Sequence, residues 1–272
     1  MATIIDAHVH TNFADTPLVT IAKENGIRFS LEGLVDEMAK AHVDRAISIR
    51  SDLSAIECRA KNTSGCAPPD KPLPENITDV AYINPLLDQQ WQLQAMETLL
   101  QKRQIGGIKI YLGYYHEFPS SPVYTPFYEL AAKHKVPIIF HTGDTFSAIA
   151  KLKYSQPLLV DEVAVDFSHT TFVIAHFGYP AWVFDAAEVV DKNENVYADL
   201  SGWVEGLPTG AVAVAQVKEA MATCNYARLM YGSDWPLVPM QTYVALVRKL
   251  VPKEHHESIF SRTAREVFHL PL

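Results

Sequence analysis

Short apolar runs alternate along this chain with longer stretches whose apolar residues recur at helical spacing. The first run, Ile4-Ile5-Asp6-Ala7, is a strand. Behind it Leu31, Leu34, Val35 and Met38 fall on one helical face, and Arg45-Ala46-Ile47-Ser48-Ile49 forms a second strand. The exchange of periods continues. Val80 to Asn84 precedes a helix carrying Leu93, Met96 and Leu100, and Gly107 to Tyr111 precedes one carrying Tyr124, Phe127, Tyr128 and Ala131. Val136 to His141, Thr171 to His176, Val196 to Ser201 and Leu229 to Asp234 supply four more strands. Val244, Val247 and Val251 mark a late helix, and Ile259, Phe260, Thr263, Ala264, Val267 and Phe268 a last one that lays its apolar face on the core.

The predicted strands end at residues 10, 50, 84, 111, 141, 176, 201 and 234, about 32 residues apart on average, the length of one strand-plus-helix unit. Eight such units in series predict an α/β fold closed as a (β/α)8 TIM barrel, with residues 1–272 forming one domain. An open doubly wound sheet is the alternative, but its Gly-rich turn after the first strand is missing: that segment is His8-Val9-His10-Thr11-Asn12. Turn residues such as Thr142-Gly143-Asp144, Gly202 and Trp235-Pro236 cluster just behind the strands and mark loops at one rim. Residues 52–76, containing Pro68, Pro69, Pro72 and Pro74, form the one long irregular segment, either a lid or an insertion without a role.

Composition narrows the function. A chain of 272 residues with 48% hydrophobic content has ample material for a single core. A net charge of −8 without any basic run excludes a nucleic-acid footprint. No apolar run is long enough to cross a bilayer and Met1 leads directly into the first strand, so the expectation is a cytoplasmic protein with no membrane partner. Cys58, Cys66 and Cys224 are an odd set without zinc-knuckle spacing and are expected to be free thiols.

Five polar residues then stand out, because His8, His10, His141, His176 and Asp234 each close an apolar strand. His8 and His10 point the same way while Val9 points oppositely, since side chains alternate along a strand. Taken singly, a histidine at a strand end is more often hydrogen-bonded than ligating, and Asp234 could cap a turn. Four histidines and an aspartate at the same ends of four strands form instead one polar cup able to hold a cation. Imidazole and carboxylate without thiolate is the donor set of a catalytic zinc site with an open position. His42, His116, His134, His169, His255, His256 and His269 sit in helical or loop contexts and are expected to be solvated or satisfied locally.

The motifs Ile5-Asp6-Ala7-His8-Val9-His10, Ile138-Ile139-Phe140-His141-Thr142-Gly143, Ala175-His176-Phe177-Gly178, Val196-Tyr197-Ala198-Asp199-Leu200-Ser201-Gly202 and Tyr231-Gly232-Ser233-Asp234-Trp235-Pro236 resemble, in order, those of the amidohydrolase superfamily, in its amidohydrolase-2 branch. That resemblance implies His8, His10 and Asp234 as metal ligands and His141 as a further one. It implies that His176 faces the substrate as acid, base or polarising group, with Asp234 also taking and returning a proton. The implied cofactor is a divalent ion, Zn2+ first, Mn2+ or another as alternatives. One ion is favoured; two would require a carboxylated Lys109, and unmodified Lys109 would bind a substrate carboxylate. Arg50, Tyr111, Asp199 and Trp203 are further rim candidates, Arg50 either for an anionic substrate or for a salt bridge; Trp203 and Trp235 would shield the barrel mouth.

The expected activity is hydrolysis of an amide, lactone or ester bond in a small molecule by a metal-activated water. The alternative is non-oxidative decarboxylation of a carboxylated aromatic or unsaturated acid. A metal-binding protein without catalysis is the third reading, disfavoured by the absence of thiolate among the five residues. A homo-oligomer is compatible with the sequence.

Overall fold

Strand positions that alternate in sequence separate in space into two apolar layers, and this division builds the barrel. The computed structural model describes residues 3–57, 59, 61, 63–66, 73–203 and 211–271. Cys58, Pro68, Pro69 and Pro72 lie outside the described residues.

Eight strands run β1 (Ile5–Val9), β2 (Arg45–Ile49), β3 (Ile77–Tyr82), β4 (Ile108–Ile110), β5 (Ile138–His141), β6 (Phe172–Ala175), β7 (Val196–Asp199) and β8 (Leu229–Met230). They pair in parallel in sequence order, the arrangement of a single-domain (β/α)8 barrel. The helices between them include α1 (Thr16–Glu24), α2 (Leu31–Ala41), α3 (Leu53–Glu57), α4 (Gln89–Gln101), α5 (Thr125–His134), α6 (Leu158–Asp166), α7 (Val183–Lys192), α8 (Ala211–Thr223) and α9 (Met240–Leu250). Among the described residues no helix is long and apolar enough to cross a membrane.

Ile108, Ile110, Ile138, Phe140, Phe172 and Ile174 face outward and pack under the helices with Phe127, Tyr128 and Val163. Ile47, Ile49, Val80, Ile139 and Val173 face the axis. Burial of each large side chain is worth about 1.5–3 kcal/mol, so these layers carry the fold. The floor of the barrel is closed by α10 (Thr263–Phe268), whose Ala264, Val267 and Phe268 join the axial cluster, as the sequence pattern predicted. At the top the axis turns polar.

Several elements differ from the sequence expectation. The segment 52–76 is not wholly irregular: it starts with α3, and the Gly65 N–H donates to the Tyr82 carbonyl at 3.1 Å. Val35 is 45% exposed, because α2 buries Leu34, Met38 and Ala41 and a residue next to Leu34 lies about 100° round the helix. Strand β8 is only Leu229–Met230, since the Tyr231 N–H leaves the ladder for the Ile259 carbonyl and Asp234 adopts φ 60°.

In β1, Ile5 and Ala7 belong to the axial cluster but Val9 to the outer layer. The face therefore changes between them, where the register against β2 also shifts. That irregularity turns His8 and His10 toward the axis. Beside them the barrel closes through Ala7 N–H to Tyr231 O, Asp234 N–H to His8 O and His10 N–H to Trp235 O, each 2.8 Å.

Candidate metal centre

The strand ends that the sequence marked meet in one cavity. His8, His10, Lys109, His141, His176 and Asp234 line its inner side; Leu18, Ile21, Leu53, Phe146 and Leu237, with Tyr111 and Tyr114, line the rest. It lies at the carboxyl ends of the strands, where a barrel of this kind can present side chains from several strands to one ligand.

Hydrogen bonding fixes the tautomers of the two β1 histidines. Nδ1 of His10 is 2.8 Å from the Ile49 carbonyl, which only accepts, so Nδ1 carries the proton. Nδ1 of His8 is 3.0 Å from Asp199 Oδ2, to which it donates. Both rings are thereby left with Nε2 as the lone-pair nitrogen, and both Nε2 atoms face the same oxygen: Asp234 Oδ1 lies 3.0 Å from His10 Nε2 and 3.6 Å from His8 Nε2. Lone pairs directed at one another repel unless a cation lies among them. His8 Nε2, moreover, is buried without a hydrogen-bond partner. Ligand atoms about 2.1 Å from a tetrahedral ion stand about 3.4 Å apart, so the three atoms fit a divalent ion. The outer bonds from Asp199 and Ile49 are those that orient metal-bound imidazoles.

Charge states agree with this arrangement. Burial pushes the His8 imidazole below its ordinary value, with Asp199 and Asp234 opposing. For Asp234, burial works upward, but the surrounding His8, His176 and His10 outweigh it and hold the carboxyl well below the usual range. Asp199 behaves alike, burial being overruled by His8, His176 and Ser201. A lowered His8 and lowered Asp199 and Asp234 favour the neutral imidazole and ionised carboxylates that bind metal.

His141 and His176 occupy the opposite wall. Nε2 of His141 donates to the Asp144 carbonyl at 2.8 Å, and its Nδ1 faces His176 Nε2 at 3.2 Å. His141 therefore reaches the cavity without joining the three atoms around Asp234 Oδ1. Burial lowers both rings, His176 to about 4 and His141 well below its usual value. His176 is itself in the left-handed region, φ 63°, with its carbonyl accepting from Trp203 Nε1 at 3.2 Å.

Lys109 is fully buried, its Nζ has no hydrogen-bond partner, and it lies 5.3 Å from the centre of the Tyr111 ring. Burial pulls the amine down to about 8, with Asp199 and Asp234 resisting. Tyr111 stacks on His141 and donates its hydroxyl to the Arg50 carbonyl at 2.8 Å. The Arg50 side chain is engaged elsewhere: Nε and Nη2 lie 2.9 and 2.6 Å from Asp79 Oδ2, and Nη1 is 2.8 Å from the Gly65 carbonyl. Trp203 is fully buried and packs on Phe177 and Tyr179 beneath His176, and Trp235 is buried against Phe29.

Sequence reasoning missed Ser201, whose hydroxyl touches Asp199 and His176, and the walls formed by Tyr114 and Phe146. Ser201 lay inside a quoted motif two residues from Asp199, and the period of two was the available signal. Phe146 has none, since its position depends on a loop. The outlying His116 and His256 are satisfied locally, against the Ile149 and Val251 carbonyls.

A parallel eight-stranded barrel with a His/Asp cup at its carboxyl rim defines a class of metal-dependent barrel enzymes. The amidohydrolase family profile matches residues 5–270, and the chain belongs to that family, whose members are metal-dependent hydrolases or decarboxylases. No curated protein matches the sequence. Among solved structures, an uncharacterised TIM-barrel protein from Bordetella bronchiseptica is 19% identical, with 98% of each chain covered and a TM-score of 0.75. A Pseudomonas putida protein assigned as a 2-pyrone-4,6-dicarboxylic acid hydrolase is 17% identical, covering 100% of this chain and 99% of its own, with a TM-score of 0.68. The 2,6-dihydroxybenzoate decarboxylase from Rhizobium is 12% identical over 99% of each chain, with a TM-score of 0.70. At these identities the likeness is one of fold.

Proposed function

We propose that this protein is a metal-dependent hydrolase of a carbonyl-type bond, an amide, lactone or ester, in a small molecule with an apolar body. The observation that carries the reading is the convergence of His8 Nε2, His10 Nε2 and Asp234 Oδ1, with both Nδ1 atoms already committed to acceptors. One divalent ion, zinc before manganese, would be held by these three residues, with His141 as the further candidate, and would supply Lewis acidity toward water and a carbonyl oxygen.

The protein's own groups carry the protons. Asp234, ionised at neutral pH, accepts the proton of the attacking water and returns it to the leaving group. His176, which lines the same cavity, is the second acid–base group. The unpartnered, unmodified Lys109 amine binds a substrate carboxylate, and Leu18, Leu53, Phe146 and Leu237 exclude water around the body of the ligand.

The buried Lys109 beside apolar walls favours one second reading, decarboxylation of a carboxylated aromatic or unsaturated acid held by the same residues. The deciding experiment is elemental analysis of the purified protein, followed by assays on lactones, amides and carboxylated acids before and after chelation and zinc return. About one ion per chain with zinc-restored hydrolysis supports the proposal. Carbon dioxide release without water consumption replaces it with the second reading. About two ions, with the added mass of a carboxylated lysine, would overturn the single-ion assignment. Full activity in the chelated protein would end both.

A further inference from the structure

We propose that Phe146 is a specificity-determining residue: its ring is the movable wall of the cavity, and the segment that carries it swings out to admit a substrate and closes over the substrate's apolar body.

The cavity at the candidate metal centre has a volume of only about 30 Å³. That is room for a water or two, whereas pockets that take small organic ligands measure about 300–1,000 Å³. A wall must therefore move before a carbonyl compound reaches the centre. Most of the walls are held. Leu18 and Ile21 sit on α1 and Leu53 on α3. Tyr111 is tied through its hydroxyl to the Arg50 carbonyl, Tyr114 is buried, and the Leu237 N–H donates to the Asp234 carbonyl at 2.9 Å. Among the described residues that line the cavity, Phe146 alone is exposed, at 56%, so its ring borders the cavity on one side and solvent on the other.

The chain around Phe146 is built to move without disturbing the barrel. Residues 142–151 contain no helix or strand, and both ends of the stretch are anchored through the backbone. The Gly143 N–H donates to the Ser155 carbonyl at 3.0 Å, and the Ser155 hydroxyl returns a bond to the Gly143 carbonyl at 2.8 Å. The Asp144 N–H donates to the Tyr179 carbonyl and the Lys151 N–H to the Gly113 carbonyl, each at 3.0 Å. Between these anchors, residues 145–150 form a tip that leans on two side chains of the neighbouring 113–116 segment. The Phe146 N–H donates to the Tyr114 hydroxyl oxygen at 3.2 Å, and His116 Nε2 donates to the Ile149 carbonyl at 2.9 Å. A short tip held by side-chain bonds between fixed ends opens locally, at a fraction of the cost of unfolding. Closure is favoured by the ligand itself: an apolar body beneath Phe146 covers ring surface that water otherwise touches. Lys109, whose amine has no partner, lines the same cavity, so the ring selects the body of a molecule whose carboxylate the amine holds. The selective role rests on the proposed function; the gate itself does not.

The test is size-selective labelling of the Lys109 amine in the full chain, as purified and again after chelation, followed by peptide mass spectrometry. Cyanate is small and linear; trinitrobenzenesulfonate carries a bulky aromatic ring. Cyanate is expected to label Lys109 equally fast in wild type and Phe146→Ala. Trinitrobenzenesulfonate is expected to label the Ala variant about tenfold faster than wild type, with Phe146→Leu between them and Phe146→Trp slower than wild type. Equal rates for the bulky reagent in wild type and Phe146→Ala, or no labelling of the chelated Ala variant, would overturn the gate. Faster bulky labelling in Phe146→Trp would also overturn it, because a loosened loop rather than ring size would then control entry. Zinc stoichiometry and hydrolysis assays on the same samples keep the two questions apart: a wild type that binds no zinc and hydrolyses nothing, yet labels by size in this order, sinks the hydrolase and leaves the gate.

Discussion

Asp199 Oδ2 stands 3.0 Å from Nδ1 of His8, joining the end of β7 to the end of β1 across the barrel mouth. This bond decides which nitrogen of His8 is free to ligate. Asp199→Ala is therefore expected to weaken zinc binding by about 10–100-fold, the usual cost of losing an outer partner of a ligating imidazole. Competition with a chromophoric chelator measures it, and wild-type affinity in the variant would show that His8 is oriented by other contacts.

The two β1 histidines sit above the axial apolar cluster rather than within it. His8→Ala combined with His10→Ala should abolish metal binding and keep the barrel, with far-UV circular dichroism unchanged. Retained metal stoichiometry would remove both from the ligand set.

Gly202 supports the site from below. Its left-handed φ of +75° favours glycine, and a Cβ would come within 2.9 Å of His176 Nδ1 and 3.0 Å of Asp234 Oδ2. Gly202→Ala is expected to cost about 1–3 kcal/mol of stability through this backbone strain and to lower turnover at least tenfold by displacing both side chains. Denaturant unfolding alongside kinetics checks the two effects; normal turnover would show that the loop yields without moving them.

Asp15, outside the ligand set although its carboxyl is drawn down in part by His10, offers a pH test. It is buried, Oδ2 accepts the Leu53 N–H at 2.6 Å, and Oδ1 has no partner. Burial raises its carboxyl above the ordinary 3.8. The folded chain thus holds this proton more tightly than the unfolded chain, a contribution fully present below pH 3.8 and lost as pH rises through the folded value. At neutral pH the ionised carboxylate costs stability. Asp15→Asn keeps an acceptor for Leu53 and should gain about 1 kcal/mol at neutral pH relative to wild type, and less in mild acid. Thermal unfolding at the two conditions reads the difference, and a pH-independent effect contradicts it.

The barrel was legible because its parallel strands are short apolar runs closed by a polar residue, and His8, His10, His141, His176 and Asp234 carried that signal directly. Their cavity could be predicted because strand ends in such a barrel share one rim. Trp203, placed at the mouth by its position after β7, proved to be core, since the chain turns inward at Gly202. Arg50 sits at the expected strand end, but Asp79 on the neighbouring strand takes its guanidinium, a pairing that only register reveals. The apolar wall at Phe146 was hidden for a different reason: loop conformation follows from contacts such as the Tyr114 hydroxyl accepting the Phe146 N–H, which no periodicity encodes.

The three atoms that converge for a metal come from the end of the first strand and the segments just beyond the first and last strands, where the barrel closes through isolated backbone bonds next to a two-residue β8. His10 and Asp234 are 224 residues apart in sequence. An ion bound between them would act as a clasp on the ring, resisting its opening at the point where the sheet is thinnest. Contacts between such distant segments are slow to form, so during synthesis the metal pocket exists only after nearly the whole chain has emerged. Metal capture would then mark the completion of folding, and an incomplete chain could not mimic the finished enzyme by holding its ion.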